Sequence, residues 1–181
     1  MKIRLGDLRC ILREVAHTAS TVPRNIRLYE TGNDWSHYIY LVDEEKMPDI
    51  ETALMGGISI TEFDGPWRVG SVSSHEGYGP LLYRLAMEWV TQHGTGRGLT
   101  RNSGETSDAA MRVWKKFDTV ACDPNSHVMV VGGDPMRPEY AATTGELRML
   151  RSHPITLTSE QSDMAWNMLT SLEIGGQQHY D

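Results

Sequence analysis

The sequence predicts one domain over residues 1–181 of the mixed α/β (α+β) class, in which helices flank a mixed, mostly antiparallel central sheet. The length suits a single domain, and 39% of hydrophobic residues is enough for one sizeable core. Apolar and polar residues alternate on both sides of Asp64-Gly65-Pro66, which is the pattern of an antiparallel hairpin. Two amphipathic helices, at 80–93 and 106–117, follow that hairpin.

Before the hairpin, the sequence predicts one helix and one strand. Apolar residues recur at i, i+3, i+4 and i+7 from Leu8, with Asp7 in the N-cap position, so we expect an N-terminal helix over about 7–17. The run H-Y-I-Y-L-V at 37–42 is rich in aromatic and β-branched residues, as is typical of a strand. The hairpin strands are predicted at 56–63 and 67–73.

After the hairpin, helices and short strands alternate. The predicted elements are helices at 80–93, 106–117 and about 158–173, and strands at 98–100 and 127–133. Gly94, Gly96 and Gly98 end the first of these helices. The last helix, a C-terminal extension, begins with T-S-E-Q, which fits the capping-box pattern. Residues 134–157 carry no pattern from which we predict an element.

The amino-acid composition disfavours several classes of ligand and partner. The net charge of −7 disfavours binding to phosphate backbones, so no nucleic acid is expected. Cys10 and Cys122 have no Cys-x-x-Cys partner and are expected to be reduced, partly buried thiols. The seven histidines lack zinc-type spacing, so no metal is expected. No apolar run approaches the roughly 18 residues of a membrane helix, so we expect a soluble, cytoplasmic protein without a membrane partner.

The most informative segment is S-S-H-E-G-Y-G-P at 73–80, which joins a predicted strand to a predicted helix. Gly77 and Gly79 can adopt positive φ and expose bare backbone, and Pro80 suits the first helical position. Free N–H groups at the positive end of a helix form an anion site suited to phosphate. The alternative is an ordinary connection in which glycine only permits the turn. The segment is neither a Walker loop nor G-x-G-x-x-G, because Leu82 replaces the third glycine.

The segment V-S-S-H-E-G-Y-G-P-L-L-Y resembles the acyl-CoA loop of the GNAT superfamily, the acyl-CoA-dependent N-acetyltransferases. That family's pattern is Arg/Gln-x-x-Gly-x-Gly/Ala opening a helix, and Gly77 and Gly79 fall on its two small-residue positions. The resemblance covers about residues 37–133. The N-terminal L-R-C-I-L-R-E also resembles the openings of many bacteriophage gene products.

The helix at 107–117 extends this resemblance. S-D-A-A-M-R-V-W-K-K-F is similar to the family's next helix, which has Asn-x-x-Ala followed four residues later by Tyr. Ser107 stands in place of the Asn, Ala110 matches, and Trp114 occupies the Tyr position. The helix and short strand between the two motifs also fit the family's spacing.

The resemblance implies an acetyl-CoA donor and an amine acceptor. In the family, the strand before the loop separates from its neighbour, pantetheine pairs with its backbone, and the loop amides hold the pyrophosphate. The chemistry is direct attack of a neutral amine on a thioester. Carried over to this chain, the expected cofactor-binding residues are Val72, Ser73, Ser74, Gly77, Tyr78, Gly79, Pro80 and Ser107. Packing of Tyr78 against the helix is the equally weighted alternative to a ligand contact.

Three residues depart from the family's pattern. Ser74 replaces the Arg/Gln, and Glu76 adds a negative charge to the presumed anion loop, which a protonated His75 would partly offset. Trp114 replaces the Tyr commonly credited with protonating the leaving thiolate, and an indole N–H is no proton source at neutral pH. Trp114 also lies on the apolar stripe, so we expect it in the core.

The sequence leaves the catalytic residues and the acceptor unassigned. Glu62 and Asp64 are the nearest candidates for a general base, with His37 and Glu76 behind them. The first functional hypothesis is an N-acetyltransferase. The alternative is a catalytically weak or inactive protein of the same fold, acting as a binding or virion-associated component with a phage structural partner or as a homo-oligomer. The third is an unrelated α/β domain with a chance Gly-x-Gly.

Overall fold

The computed structural model describes residues 22–62, 65–93, 97–102, 106–123 and 126–175. The helix predicted over 7–17 lies outside these residues, as do Cys10 and Asp64. Cys122 is exposed, and its thiol donates to the Asp118 carbonyl at 3.2 Å. The expectation of partial burial for Cys122 is therefore wrong, because it lies just beyond the end of a helix whose apolar stripe has already ended.

The described residues form seven strands and five helices. The strands are β1 (Ile26–Gly32), β2 (Ser36–Asp43), β3 (Leu54–Glu62), β4 (Trp67–Ser74), β5 (Leu99–Thr100), β6 (Val128–Asp134) and β7 (Arg137–Ala142). The helices are α1 (Ile50–Ala53), α2 (Gly79–His93), α3 (Asp108–Val120), α4 (Glu146–Arg151) and α5 (Ser159–Gly175), with a 3-10 turn at Glu44–Lys46 before α1. The elements predicted within the described residues are confirmed to within three residues at each end.

Four elements were missed by the sequence analysis: β1, α1, β7 and α4. The signal for β1 was present, because Ile26 and Leu28 are each 2% exposed and alternate with Arg27 and Tyr29. β7 and α4 lie within 134–157, where each is only six residues long. A six-residue helix spans less than two turns, and in β7 Pro138 and the pair Ala141-Ala142 interrupt the apolar–polar alternation that indicates a strand.

The seven strands form one sheet in the order β1-β2-β3-β4-β5-β7-β6. Every neighbouring pair is antiparallel except β4 and β5, which are parallel and joined through α2. The predicted mixed, mostly antiparallel sheet flanked by helices is therefore confirmed. The parallel pair is the only one that cannot be joined by a hairpin, and it needs a crossover helix.

Helices cover both faces of the sheet. Ile39 and Leu41 of β2 point into the main core beneath α2, whereas Tyr40 and Val42 point to the opposite face beneath α1 and α5. The predicted capping box begins α5. The Gln161 N–H donates to Thr158 Oγ1 at 3.2 Å, and the Thr158 N–H donates to Gln161 Oε1 at 3.0 Å.

Candidate functional site

The predicted loop joins β4 to α2 with one residue in a glycine-favoring conformation. Gly77 has φ +91°, as predicted, whereas Gly79 has no positive φ and is the first residue of α2. Pro80 is therefore the second helical residue and not the first, as the sequence analysis expected. Its missing N–H still falls in the first turn, where no intrahelical acceptor exists.

Two N–H groups at the junction between the loop and α2 have no acceptor among the described residues. The His75 N–H donates to the Met55 carbonyl at 2.9 Å, and the Tyr78 N–H donates to the His75 carbonyl at 3.2 Å. The first intrahelical bond runs from Leu82 to Tyr78 at 3.1 Å. Within the same described part of the chain, nothing accepts from the N–H groups of Gly77 or Gly79. Donors are thus available at the N-terminus of a 15-residue helix.

The space beside Gly77 is open. A Cβ built on Gly77 would meet no heavy atom within 4 Å, and Glu76 is exposed beside it. A Cβ on Gly79 would lie 3.3 Å from Ser74 Oγ. A ligand can therefore approach the main chain at Gly77 more closely than at Gly79.

Strand β4 is paired along one edge and only partly along the other. Its β3 edge is paired from Trp67 to Ser74. On the opposite edge, β5 pairs with β4 only at Trp67 and Arg68, with Leu99 and Thr100 as the partners. Among the described residues, no strand continues this ladder along 69–74. The unpaired part of the edge leads directly into the loop.

A β-bulge interrupts the pairing between β4 and β3. Ile58 pairs with Val72 and Ile60 with Val69, so Gly70 and Ser71 together oppose Ser59. The Ser71 N–H donates to the buried Ser59 Oγ at 2.7 Å. A Cβ on Gly70 would lie 2.7 Å from the same oxygen, so a side chain at that position would displace the Ser59 hydroxyl.

The remaining predicted cofactor-binding residues lie in three different surroundings. Val72 and Tyr78 are half-buried against the main core, which agrees with the packing alternative for Tyr78. Ser73 and Ser74 line a cavity of about 340 Å³ between the strand ends and α5. Ser107 is the N-cap of α3, and its hydroxyl accepts the Ala110 N–H at 3.3 Å. That hydrogen bond accounts for Ser107 structurally without a ligand.

Trp114 lies in the core, as predicted. It is 3% exposed and packs edge-on against Tyr83, with ring centroids 5.2 Å apart. The ring centroid of Tyr140 is 5.4 Å from that of the indole. Burial raises the pKa of Tyr83 to about 12, so this phenol stays protonated at neutral pH.

The candidate general bases are dispersed. Glu62 is opposite Trp67, at the end of β4 where β5 pairs, and Glu76 is exposed in the loop. His37 is stacked on Trp89 at 4.1 Å, and its Nε2 lies 3.0 Å from Glu30 Oε1. His37 thus already has a carboxylate partner.

His37 belongs to a network that joins β1, β2 and α4. Arg151 donates to both carboxylate oxygens of Glu30, at 2.7 and 2.8 Å. Burial raises the pKa of Glu30, but the hydrogen bonds from His37 and Arg151 outweigh it and lower that pKa from 4.5 to about 2. The carboxylate is therefore ionised throughout the physiological pH range.

We expect Glu30→Gln to lower the free energy of unfolding by on the order of 2 kcal/mol at pH 7. Because the pKa is lower in the folded chain, this stabilisation is complete above about pH 4.5 and is lost as the pH falls towards 2. Urea unfolding at a series of pH values should show the two proteins converging in acid. Glu45→Gln, at an exposed carboxylate, is the control. A difference that stayed constant with pH would contradict the assignment.

A second cavity, which the sequence did not reveal, lies at the paired end of β4 and β5. Its volume is about 180 Å³, and we call it the arginine cavity; it is lined by Pro66, Arg68, Thr100, Arg101, Gly133, Arg137 and Glu139. Because successive side chains of a strand point to opposite faces of the sheet, Arg68 and Thr100 are expected on the face that does not carry Trp67 and Leu99. No sequence signal indicated that β7 lies beside β5.

Comparisons with known proteins found no relative. No protein-family model, curated protein or solved structure matches the chain. None of the helices in the part of the chain that the structure describes is long and apolar enough to span a bilayer. Within those same residues, no three His, Cys, Asp or Glu side chains are grouped to hold a metal ion. A functional proposal therefore rests on the loop, the β4 edge and the residues around them.

Proposed function

We propose that the chain is a GNAT-like N-acetyltransferase that moves an acetyl group from acetyl-CoA to an amine. The observation that carries the proposal is the edge of β4 beyond Arg68, with which no strand in the described part of the chain pairs. This strand is paired with β5 only at Trp67 and Arg68, and it runs directly into the loop at 75–78. The resemblance implies a strand that separates from its neighbour at this place in the chain.

The loop supports the proposal through two N–H groups that find no acceptor among the residues that the structure describes. The N–H groups of Gly77 and Gly79 lie at the positive end of α2, where an anion is favoured. The open space beside Gly77 allows a phosphate to approach the main chain. The exposed Glu76 carboxylate opposes the anion only weakly, because solvent and salt screen an exposed charge.

Acetyl transfer also requires that acetyl-CoA be held in a defined orientation, and the edge of β4 can do this. Alternate residues of a strand direct N–H and C=O groups to the same edge, so 69–74 can pair with an extended amide-containing arm. Acetyl-CoA supplies an activated acetyl thioester. The amine nitrogen forms a bond to the acetyl carbon, the carbon–sulfur bond breaks, the amine loses a proton and the thiolate takes one up. Holding both reactants in place accounts for much of the rate enhancement.

A protein that binds acetyl-CoA but transfers little acetyl group is the second candidate. The burial of Trp114 favours it, because the position where the family has a Tyr is occupied by a core indole. Such a protein would serve as a binding or virion-associated component. The two candidates share the cofactor site and differ only in turnover.

We expect acetyl-CoA to raise the thermal midpoint of the full chain. At about one hundred times its Kd, a ligand that binds only the folded state adds about 2.7 kcal/mol of stability. For a chain of this size, that corresponds to an increase of roughly 5–10 °C. No shift at millimolar acetyl-CoA would contradict binding, and a shift without thiol release across a panel of amines would favour the second candidate.

Gly77→Asp tests whether acetyl-CoA binds at the loop. It places a carboxylate among the loop donors, and we expect it to abolish the acetyl-CoA shift. Gly77→Asn carries the same backbone strain without the charge, so it should retain more of the shift. Gly145→Asn, at φ +79° with open space around it, controls for strain at a remote glycine. An undiminished shift in Gly77→Asp would place acetyl-CoA elsewhere.

A further inference from the structure

The arginine cavity combines positively charged side chains with a buried hydroxyl that has no hydrogen-bond partner among the described residues. Three guanidinium groups and one carboxylate line about 180 Å³, in a chain whose net charge is −7. Trp67 and Leu99 point into the main core, so their neighbours Arg68 and Thr100 point to the opposite face of the sheet. The cavity lies on that face, at the point where β5 stops pairing with β4.

Thr100 is the most informative residue of this cavity. It is 3% exposed, and its hydroxyl is a buried side-chain group that has no hydrogen-bond partner among the described residues. Leaving a buried hydroxyl without a partner is unfavourable, and such groups are rare in folded proteins. A ligand group that accepts a hydrogen bond within the cavity would satisfy it.

The charged residues indicate which kind of group this is. Half-buried Arg68 forms no hydrogen bond or ion pair with any residue that the structure describes. Arg101 donates to the Met136 carbonyl, which holds its guanidinium at the cavity. Glu139 is the single carboxylate among the lining residues, and it accepts the Gly98 N–H at 3.1 Å. The cavity lining therefore carries more positive than negative side chains. Guanidinium groups match the geometry of carboxylate and phosphate oxygens.

We infer that the arginine cavity binds an oxyanion, either a carboxylate or a phosphate group of a small molecule, through Arg68 and Thr100. This inference is independent of acetyl transfer. A second step rests on the proposed function: the cavity is at the end of the β4 edge opposite the loop, so the oxyanion belongs to the amine acceptor. The acceptor class is then a small amine that also carries a carboxylate or a phosphate.

Binding is tested with inorganic phosphate and with succinate, each titrated into the full chain at low ionic strength and followed by the thermal midpoint and by calorimetry. We expect at least one of them to stabilise the protein, and the two titrations distinguish phosphate from carboxylate recognition. Arg68→Gln should weaken that binding by about tenfold or more, because a charge-assisted hydrogen bond is lost. Arg148→Gln, at an exposed arginine outside the cavity, removes the same charge and should leave binding unchanged.

Thr100→Val tests whether the Thr100 hydroxyl binds the oxyanion or only contributes to stability. Valine has the same shape without the hydroxyl, so the variant should be as stable as the wild type or more stable, because it removes an unsatisfied buried group. The same variant should bind the oxyanion more weakly. Stability retained with unchanged affinity would overturn the role of Thr100. Binding of neither probe, or equal binding by Arg68→Gln and the wild type, would overturn the site.

Thiol release tests the proposal that the oxyanion belongs to the amine acceptor. Thiol release should be faster with amines that carry a free carboxylate or phosphate than with the matching esters or amides, and Arg68→Gln should remove that preference. Equal rates for free acids and amides would overturn the acceptor assignment. Absence of thiol release with every amine, together with oxyanion binding, would contradict acetyl transfer and leave the oxyanion site standing.

Discussion

Replacing Glu88 by leucine is expected to lower the free energy of unfolding by about 4 kcal/mol, since one buried and one partly buried donor lose their acceptor at about 1–3 kcal/mol each. Glu88 lies on α2 and is 2% exposed. Its carboxylate accepts the N–H groups of Gly145 and Leu147, the latter at 2.7 Å, and so caps the N-terminus of α4. Leucine fills a similar volume but leaves both donors without a partner.

Urea unfolding measures this effect, and two further variants bracket it. Glu88→Gln keeps one acceptor oxygen, so we expect about half the loss, on the order of 2 kcal/mol. Glu45→Leu, at an exposed carboxylate, should change the free energy of unfolding by less than about 0.5 kcal/mol. If Glu88→Leu were as stable as the wild type, the carboxylate would not be what holds α4 on α2.

Truncation of Trp114 is expected to have a comparable effect through packing alone. Trp114→Ala should destabilise the protein by about 3–5 kcal/mol, because it removes a buried aromatic ring and leaves a cavity. Tyr83, Phe117 and Tyr140 surround the indole with ring centroids at 5.2, 6.2 and 5.4 Å. These neighbours belong to α2, α3 and β7, so their collapse into the cavity would disturb three elements.

Trp35 is the matched control for this experiment. It is 70% exposed, so Trp35→Ala should change stability by less than about 0.5 kcal/mol. Trp114→Phe keeps part of the packing and should retain the acetyl-CoA shift and any thiol release. Loss of thiol release in a stable Trp114→Phe would contradict a purely packing role, and a loss below about 1 kcal/mol in Trp114→Ala would contradict the core placement.

Elements with strong local signals were predictable from the sequence. The apolar stripe of α2, the hairpin of β3 and β4 and the Thr158–Gln161 capping box all depend on residues within a few positions of one another. The loop at 73–80 was predicted from its glycines, although Gly79 rather than Pro80 begins α2. β7 and α4 were not predictable, because Pro138 and Ala141-Ala142 interrupt the alternation of β7 and because α4 spans less than two helical turns.

Local sequence patterns were enough to predict most of the longer helices and strands, their order along the chain and the glycine-rich junction between β4 and α2. The folded chain alone established which strands are neighbours, and therefore that no strand among the described residues pairs with this edge of β4 beyond Arg68. It also decided that Glu88 is buried against α4 and that Arg68 and Thr100 share a cavity with residues of β7. Periodicity and capping act over three or four residues, whereas these contacts join residues tens of positions apart, and burial depends on the whole assembled core.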